Sequence, residues 1–154
     1  MRPRSIWVIA LAFGLIAAAC GGGGGSSGGG GGGAKESSNE NGGGTITIAG
    51  DKANNHGTKA VSGKSFELEA DNEGNAYYFD PTVLTGSAGQ KVTLEVKNEG
   101  DAEHNFTLGA QGIDQDIQSG KSVEVTVTFP QSGVLEFYCK FHRALGMVGE
   151  LKAS

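Results

Sequence analysis

Cysteine, methionine and histidine are scarce in this chain of 154 residues, which has two, two and three of them. Met1 is the initiator, and Cys20 ends an apolar N-terminal run, so the rest of the chain has one cysteine, Cys139, and one methionine, Met147. A single cysteine cannot form an intradomain disulfide. A small domain without a disulfide needs a substantial core or a bound metal for its stability.

The first 20 residues have the layout of a secretory signal. Arg2 and Arg4 precede an apolar run, Ile6–Ala19, which is shorter than the roughly 20 residues of a bilayer span. The run ends in Leu-Ile-Ala-Ala-Ala-Cys, which resembles a bacterial lipobox. Ala17 stands where a lipobox usually has leucine, so ordinary signal-peptidase cleavage, with Cys20 as an incidental small residue, stays open. We predict lipidation of Cys20, which would anchor an exported protein at the outer face of the cytoplasmic membrane or in the periplasm.

Glycine is in large excess, and half of the 28 glycines lie between Gly21 and Gly44. No Gly-X-Y period runs through this tract, which excludes a collagen. The tract has no side chains to bury and would lose the most backbone entropy on ordering, so it cannot belong to a core. We therefore predict a flexible tether over residues 21–44, with a span of roughly 25–30 Å, and one small domain over residues 45–154.

Basic residues are outnumbered, with 12 lysines and arginines against 17 aspartates and glutamates. Removal of Arg2 and Arg4 with the signal lowers the basic count to 10, so the mature chain is more acidic still. This balance argues against nucleic acid as a partner, because nucleic-acid binding needs a basic face. It is compatible with steering toward a basic protein partner and equally with plain solubility.

Helical periodicity does not extend beyond about two turns anywhere, and short alternating runs dominate from Thr45 onward. Turn residues, glycine above all, separate these runs, as in antiparallel β domains. The runs are Thr45–Ala49, Phe66–Ala70, Tyr77–Phe79, Val92–Lys97, Asn105–Leu108, Val123–Phe129, Val134–Cys139 and Met147–Lys152. Seven or eight short strands at this spacing predict an all-β sandwich or barrel.

The residues that carry chemistry lie between the last two predicted strands. Cys139, His142 and Met147 form a Cys-x2-His-x4-Met pattern, and His104 lies upstream at the end of another strand. Two imidazoles, one thiolate and one thioether are the ligand set of a mononuclear blue copper site. Thiolate is a soft donor that suits Cu(I), imidazole suits both oxidation states, and a weak axial methionine holds a geometry between their preferences.

Each of these residues also has an ordinary interpretation, and Cys-x2-His spacing occurs in zinc sites as well. Cys139 could be an inert core thiol and Met147 a core filler at a strand start. His142 could be a solvated loop residue, and His104 a satisfied histidine at a strand end. The conjunction favours one copper ion, because the domain's sole Cys, its sole Met and two of its three His fall where such a site needs them.

These residues lie in segments that resemble the cupredoxin family, and most closely plastocyanin. The resemblance is strongest over Gly133–Leu151, which contains the Cys-x2-His-x4-Met pattern. A second patch covers Lys97–Asn105, and Gly89–Leu94 resembles the strand that leads into it. The resemblance implies a Greek-key β-sandwich.

The same resemblance implies roles for individual residues. The copper ligands would be His104, Cys139, His142 and, in the axial position, Met147. Asn105 would donate its backbone N–H to the cysteine sulfur and tie the two ligand loops through its side chain. Tyr138 matches the aromatic residue beside the cysteine that lies on an electron exit path.

Two features depart from the plastocyanin pattern. Plastocyanins carry a proline between the Cys and His ligands, whereas this chain has Lys140-Phe141 there. We therefore expect a less rigid loop and different backbone hydrogen bonding near the thiolate. Residues 45–65 have no counterpart in the pattern, and we interpret His56 as a solvated loop histidine rather than a ligand.

The resemblance implies one-electron transfer between protein redox partners. These would dock transiently at the surface edge of His142, beside Phe141, Ala144 and Leu145, with Arg143 biasing the choice of partner by charge. We expect a monomer.

Two other classes of function compete with electron transfer. Copper buffering or delivery could use the same ligands, but it would favour several surface methionines or histidines, and the mature chain has one methionine. Multicopper enzymes need His-x-His pairs, and binuclear copper centres need two loop cysteines; neither occurs here. A single-copper enzyme would not keep an axial methionine, so we predict that the protein is not an enzyme.

Overall fold

The computed structural model describes residues 42–154, which are almost entirely β-structure. The described part contains twelve strands: β1 (Thr45–Ile48), β2 (Asp51–Asn54), β3 (Thr58–Ala60), β4 (Ser65–Glu73), β5 (Ala76–Asp80), β6 (Val83–Gly86), β7 (Lys91–Asn98), β8 (His104–Leu108), β9 (Ile113–Ile117), β10 (Ser122–Thr128), β11 (Val134–Tyr138) and β12 (Val148–Ala153). Single 3-10 turns occupy Gly109–Gln111 and Arg143–Leu145. None of the helices in this range is long and apolar enough to span a bilayer.

The predicted signal segment, residues 1–20, lies outside the described residues. Residues 21–41 of the predicted tether also lie outside them, and so does Cys20.

The strands form two sheets and one separate hairpin. One sheet has the order β10-β7-β4-β5, and the other has the order β3-β6-β12-β11-β8-β9. Most neighbours are antiparallel, but β4 with β7, β6 with β12 and β3 with β6 are parallel pairs. Strands that follow one another in the chain are often not neighbours in a sheet, so connections cross between the sheets, as in a Greek-key sandwich.

Alternating side chains place one face of each sheet in a common core. In β7, Val92, Leu94 and Val96 are buried, whereas Lys91 and Glu95 on the opposite face are exposed. This is the period of two expected for a strand that covers a core on one side only.

Three buried phenylalanines join the two sheets. Phe79, from the four-stranded sheet, packs edge-on against Phe106 and Phe137 of the six-stranded sheet, with ring centroids 6.2 and 5.1 Å away. Phe106 and Phe137 are themselves 5.2 Å apart. Burial of each ring contributes about 1.5–3 kcal/mol, so this cluster fixes how the sheets sit on one another.

The β-sandwich prediction is confirmed, and all eight predicted strands are present with shifts at their ends. The described residues hold four further strands, β2, β3, β6 and β9. β2 and β9 are mostly polar, and β3 and β9 are sheet edges. They pair because of tertiary context and not because of intrinsic β propensity, which is why alternation does not reveal them.

The sheet register brings two predicted ligands to the same end of the sandwich. β8 begins at His104, and its antiparallel neighbour β11 ends at Tyr138, directly before Cys139. The connection from β11 to β12 then carries the remaining ligands, His142 and Met147, across that end.

Candidate metal centre

His104, Cys139 and His142 converge at this end of the sandwich. Each offers one ligand atom, and the three atoms lie within 4.8 Å of one another. The Sγ of Cys139 is 3.4 Å from the Nδ1 of His142. The two imidazole rings are 5.2 Å apart between centroids and nearly perpendicular, at 73°. Two nitrogens and one sulfur around a single point match the equatorial donors of a blue copper site.

His104 is fully buried, and neither of its ring nitrogens has a hydrogen-bond partner in the described structure. Burial above all, with a smaller contribution from the nearby His142, lowers the pKa of this imidazole to about 4. The ring is therefore neutral at pH 7 and keeps a lone pair free. An unsatisfied buried polar atom costs about 1–3 kcal/mol, which a metal bond would offset.

Gly100 makes the close approach to His104 possible. A side chain at this position would meet the Nε2 of His104 at 2.9 Å and the backbone nitrogen of Asn72 at 3.0 Å. Glycine is therefore required where the β7–β8 connection passes over the imidazole.

Cys139 is a buried free thiol. Burial raises its pKa, while the backbone N–H groups of Phe141, His142 and Asn105 donate toward the sulfur and act in the opposite direction. These donors stabilise the negative charge that develops when a metal ion displaces the thiol proton. The surroundings of the sulfur thus fit a thiolate ligand better than an inert core thiol.

Met147 is buried in the same core cluster as Cys139. The Cys139 N–H donates to the carbonyl of Met147 at 3.1 Å, and the Met147 N–H donates to the carbonyl of His142 at 3.2 Å. These two backbone hydrogen bonds close the loop of residues 139–147, which is called the ligand loop below. The axial role of the thioether stays a prediction.

Asn105 links three segments around the sulfur. Its Oδ1 accepts hydrogen bonds from the Lys140 N–H at 3.3 Å and the Thr107 hydroxyl at 2.6 Å. Its Nδ2 donates to Asp114 and Asp116, each at 2.7 Å. These contacts, together with the Asn105 N–H that donates toward the Cys139 sulfur, are compatible with the role that the resemblance implies for Asn105, and that role stays a prediction.

Lys140, one of the two residues between Cys139 and His142, ties the ligand loop to β9. Its Nζ lies 2.9 Å from Asp114 and 2.6 Å from Asp116, and these contacts lower the pKa of both carboxyl groups. Proline has no N–H, so a proline in place of Phe141 could not supply the backbone donor that Phe141 gives to the Cys139 sulfur. The expected change in backbone hydrogen bonding near the thiolate is therefore present. The contacts of Lys140 with Asp114 and Asp116 counteract the expected loosening of the loop. The sequence offered no signal for Asp114 and Asp116, because nothing in it places β9 beside β8.

Tyr77 is a second residue that the sequence did not indicate. Its ring stacks on His142 with centroids 4.0 Å apart and an angle of 17°, and it meets His104 edge-on at 6.2 Å. The run Tyr77-Tyr78-Phe79 indicates only a strand, and its nearness to the ligand loop is a result of the tertiary fold. Stacking on one face of His142 restricts the rotation of this imidazole.

Apolar side chains surround the surface edge of His142, which is half-buried. Phe141 and Leu145 are 47% and 52% exposed, which is unusual for large apolar residues. Arg143 lies between them in sequence, but its guanidinium contacts Asp51 and Glu136, each at 2.6 Å, and covers the ring of Tyr138. The charge of Arg143 is thus compensated within the domain.

His56 lies apart from the ligand cluster, in the loop before β3. Its ring stacks on Tyr78 at 3.5 Å and lies 3.9 Å from a carboxylate oxygen of Asp80. The interpretation of His56 as a solvated residue needs this correction, because Tyr78 covers one face of the ring. The sequence could not show this, since the partner comes from β5.

The low pKa of His104 predicts that the metal-free fold is sensitive to acid. The group binds a proton near pH 6.5 when unfolded and near pH 4 when folded, so stability is full above 6.5 and falls as the pH drops toward 4. Urea unfolding of the metal-free protein should lose up to about 3 kcal/mol over this range. His104→Gln, which cannot take up this proton, should give a flatter profile. Equal slopes in the two proteins would contradict the assignment to His104.

Known proteins share this sandwich and the ligand segments. Residues 56–151 match the family model of the Cupredoxin-like domain. Plastocyanin A/B from Petroselinum crispum is 27% identical over 97 residues, which span 55% of this chain and 96% of that protein. Auracyanin from Roseiflexus castenholzii superposes with a TM-score of 0.50 at 21% identity, covering 61% of this chain and 99% of that one. For auracyanin A, a "blue" copper protein from Chloroflexus aurantiacus, the TM-score is 0.49 at 26% identity, with coverages of 62% and 100%.

The family match covers well over half of the chain and includes all three converging side chains. The chain therefore belongs to the cupredoxin family, and copper is the metal that its buried His-Cys-His cluster can bind.

Proposed function

We propose that this protein carries single electrons between redox partners through one copper ion. The observation that carries the proposal is a buried ligand cluster held by the polypeptide itself, with one imidazole reaching the surface between exposed apolar side chains. Bound copper supplies a one-electron couple at this position. The residues of the chain hold this position rigid and present one imidazole, that of His142, near the surface.

The chain holds the ligands in place by means that do not depend on the metal. Asn105 and Lys140 fix the loop after Cys139, and Tyr77 fixes the plane of His142. We assign His104, Cys139, His142 and Met147 as the residues that would hold the copper ion. A site that the protein preorganises changes little when the charge of the metal changes, and little reorganisation means fast electron transfer.

We propose that redox partners dock over His142. Phe141 and Leu145 form a small apolar surface beside it, suited to brief contact. Arg143 borders this surface, but its pairing with two carboxylates weakens the charge that it can present to a partner. Two exposed side chains give too little area for a stable dimer, which favours a monomer that meets its partners transiently.

The geometry disfavours the two competing classes of function. His104 and Cys139 are fully buried, which disfavours the rapid copper exchange that buffering or delivery needs. Catalytic metal sites keep an open coordination position, whereas the proposed set of four protein ligands fills them. We therefore propose an electron carrier and not an enzyme.

We also propose that the domain works outside the cytoplasm, anchored by lipid on Cys20 and separated from the membrane by the tether over residues 21–44. Support for this part comes from the sequence: the apolar run before Cys20 and the glycine tract after it. A Gly-rich tether would let the domain rotate, so that the docking surface could face first one redox partner and then the other.

Electron self-exchange between oxidised and reduced copper protein tests the docking surface without a known partner. We expect Leu145→Glu to slow self-exchange, measured by NMR line broadening, by about tenfold or more, because two like charges then meet where the surfaces touch. Val134→Glu is the matched control: Val134 is 43% exposed and begins β11, at the far end from Cys139. Equal rates in the two variants would contradict the docking surface. Fast copper loss to a chelator, with no self-exchange in the wild type, would favour buffering instead.

Fractionation of bacteria that express the full chain tests the anchor. We expect the wild type in the membrane fraction, labelled by a supplied fatty acid, because a thioether-linked lipid holds it there. Cys20→Ser should move to the soluble fraction or keep its signal uncleaved, and it should lose the label. Ser27→Ala, in the neighbouring tether, is the control and should behave as the wild type. An unlabelled wild-type protein would contradict lipidation.

A further inference from the structure

The hairpin of β1 and β2, residues Thr45–Asn54, precedes the segment that matches the cupredoxin family. Among residues 42–154, its strands pair only with each other, so neither of the two sheets includes it. Ile48 and Ala53 are nevertheless fully buried, in a small cluster with Val148 of β12 and the ring of Tyr138. The hairpin therefore packs on the two strands that flank the metal-binding loop.

Asn54, the last residue of the hairpin, bonds both to the ligand loop and to the residue whose ring stacks on His142. Its Nδ2 donates to the carbonyl of Leu145 at 2.9 Å and to the carbonyl of Tyr77 at 2.8 Å. Leu145 belongs to the ligand loop, and the Tyr77 ring is the one that stacks on His142. The carboxamide of Asn54 thus joins the ligand loop, which contains His142, to β5, whose Tyr77 ring stacks on His142.

The backbone of Asn54 adds a third bond to the same loop. Its N–H donates to the carbonyl of Gly146 at 2.9 Å. Gly146 has a φ of +94°, and a Cβ there would meet the Asn54 carboxamide at 2.8 Å. The turn before Met147 is therefore shaped around Asn54, since only glycine allows both the left-handed conformation and this contact.

Asp51 provides a separate tie to the loop. Its Oδ2 lies 2.6 Å from the Nε of Arg143, the residue after His142. The other end of this guanidinium pairs with Glu136 and lies over the Tyr138 ring. Because both Asp51 and Arg143 are partly exposed, this pair stabilises the fold only modestly, but it fixes where the guanidinium points.

We propose that the β1–β2 hairpin is a clamp that positions His142 and the turn before Met147, with Asn54 as its main positioning residue and Asp51 as the second. The hairpin lies outside the segment that matches the family, so it is a constraint on the ligand loop from outside that segment. The clamp requires the copper site of the proposed function, but it does not depend on electron transfer or on any partner.

Hydrogen exchange in the metal-free protein tests the clamp directly. In Asn54→Ala, we expect the amides of Leu145, Gly146 and Met147 to exchange about tenfold faster, because the loop loses the side-chain hydrogen bond at the Leu145 carbonyl and its link to Tyr77. In the copper-loaded variant, copper dissociation should be severalfold faster and the visible absorption of the thiolate–copper bond should shift. A purely structural role would move neither of these spectroscopic and kinetic readouts.

Gln90→Ala is the matched control. Gln90 also donates its side-chain amide to two backbone carbonyls, those of Val61 and Gly63, each at 3.1 Å. It precedes β7, at the opposite end from the Asn98 turn and the ligands. This variant should lower the free energy of unfolding by an amount similar to that of Asn54→Ala. The amides of the ligand loop should then exchange faster only in proportion to that global loss. The visible absorption should not change.

Asp51→Ala gives a milder second variant, because it removes only an exposed ion pair. It should accelerate exchange of the Leu145 and Gly146 amides severalfold with little change in the unfolding midpoint. The clamp is refuted if both hairpin variants leave the loop amides at wild-type rates relative to Gln90→Ala. It is equally refuted if copper dissociation and absorption stay unchanged. Neither outcome bears on whether the loaded protein exchanges electrons, which the self-exchange experiment decides separately.

Discussion

His104 and Cys139 are fully buried at one end of the sandwich, and much of the structure around this end follows from that constraint. His104 has two ring nitrogens without partners, and the Cys139 thiol is surrounded by three backbone donors. Buried polar groups without partners destabilise a domain. The surrounding residues must therefore exclude water from His104 and Cys139 without filling the space between them. The phenylalanine cluster between the sheets supplies the rigid base for this arrangement.

Hydrogen bonds from outside the ligand loop then hold the loop in shape. Asn105 ties it to β8, Lys140 ties it to β9, and Asn54 ties it to the N-terminal hairpin. Each bond is individually modest, but together they act on the few residues between Cys139 and Met147. A loop fixed from three sides can keep one geometry in two charge states, which is the physical requirement for fast electron transfer.

The sequence alone predicted the sandwich, the core strands and the side chains that converge, because these depend on local signals. Val92, Leu94 and Val96 alternate with polar residues, and Cys139 and His142 stand in one short loop. Tyr77, Asp114 and Asn54 were out of reach, since their contacts join strands that are distant in the chain and carry no motif. β2 was missed because Asp-Lys-Ala-Asn has little β propensity and forms a strand through its pairing with β1.

The central claim is that Cys139 binds copper as a thiolate within this cluster. The visible absorption spectrum of the copper(II)-loaded protein tests it most directly, because thiolate-to-copper charge transfer is intense and requires the sulfur. The account predicts a strongly blue protein with one copper ion per chain, and a Cys139→Ser variant that folds but has lost this band. A colourless wild-type protein, or a Cys139→Ser variant that stays blue, would contradict it.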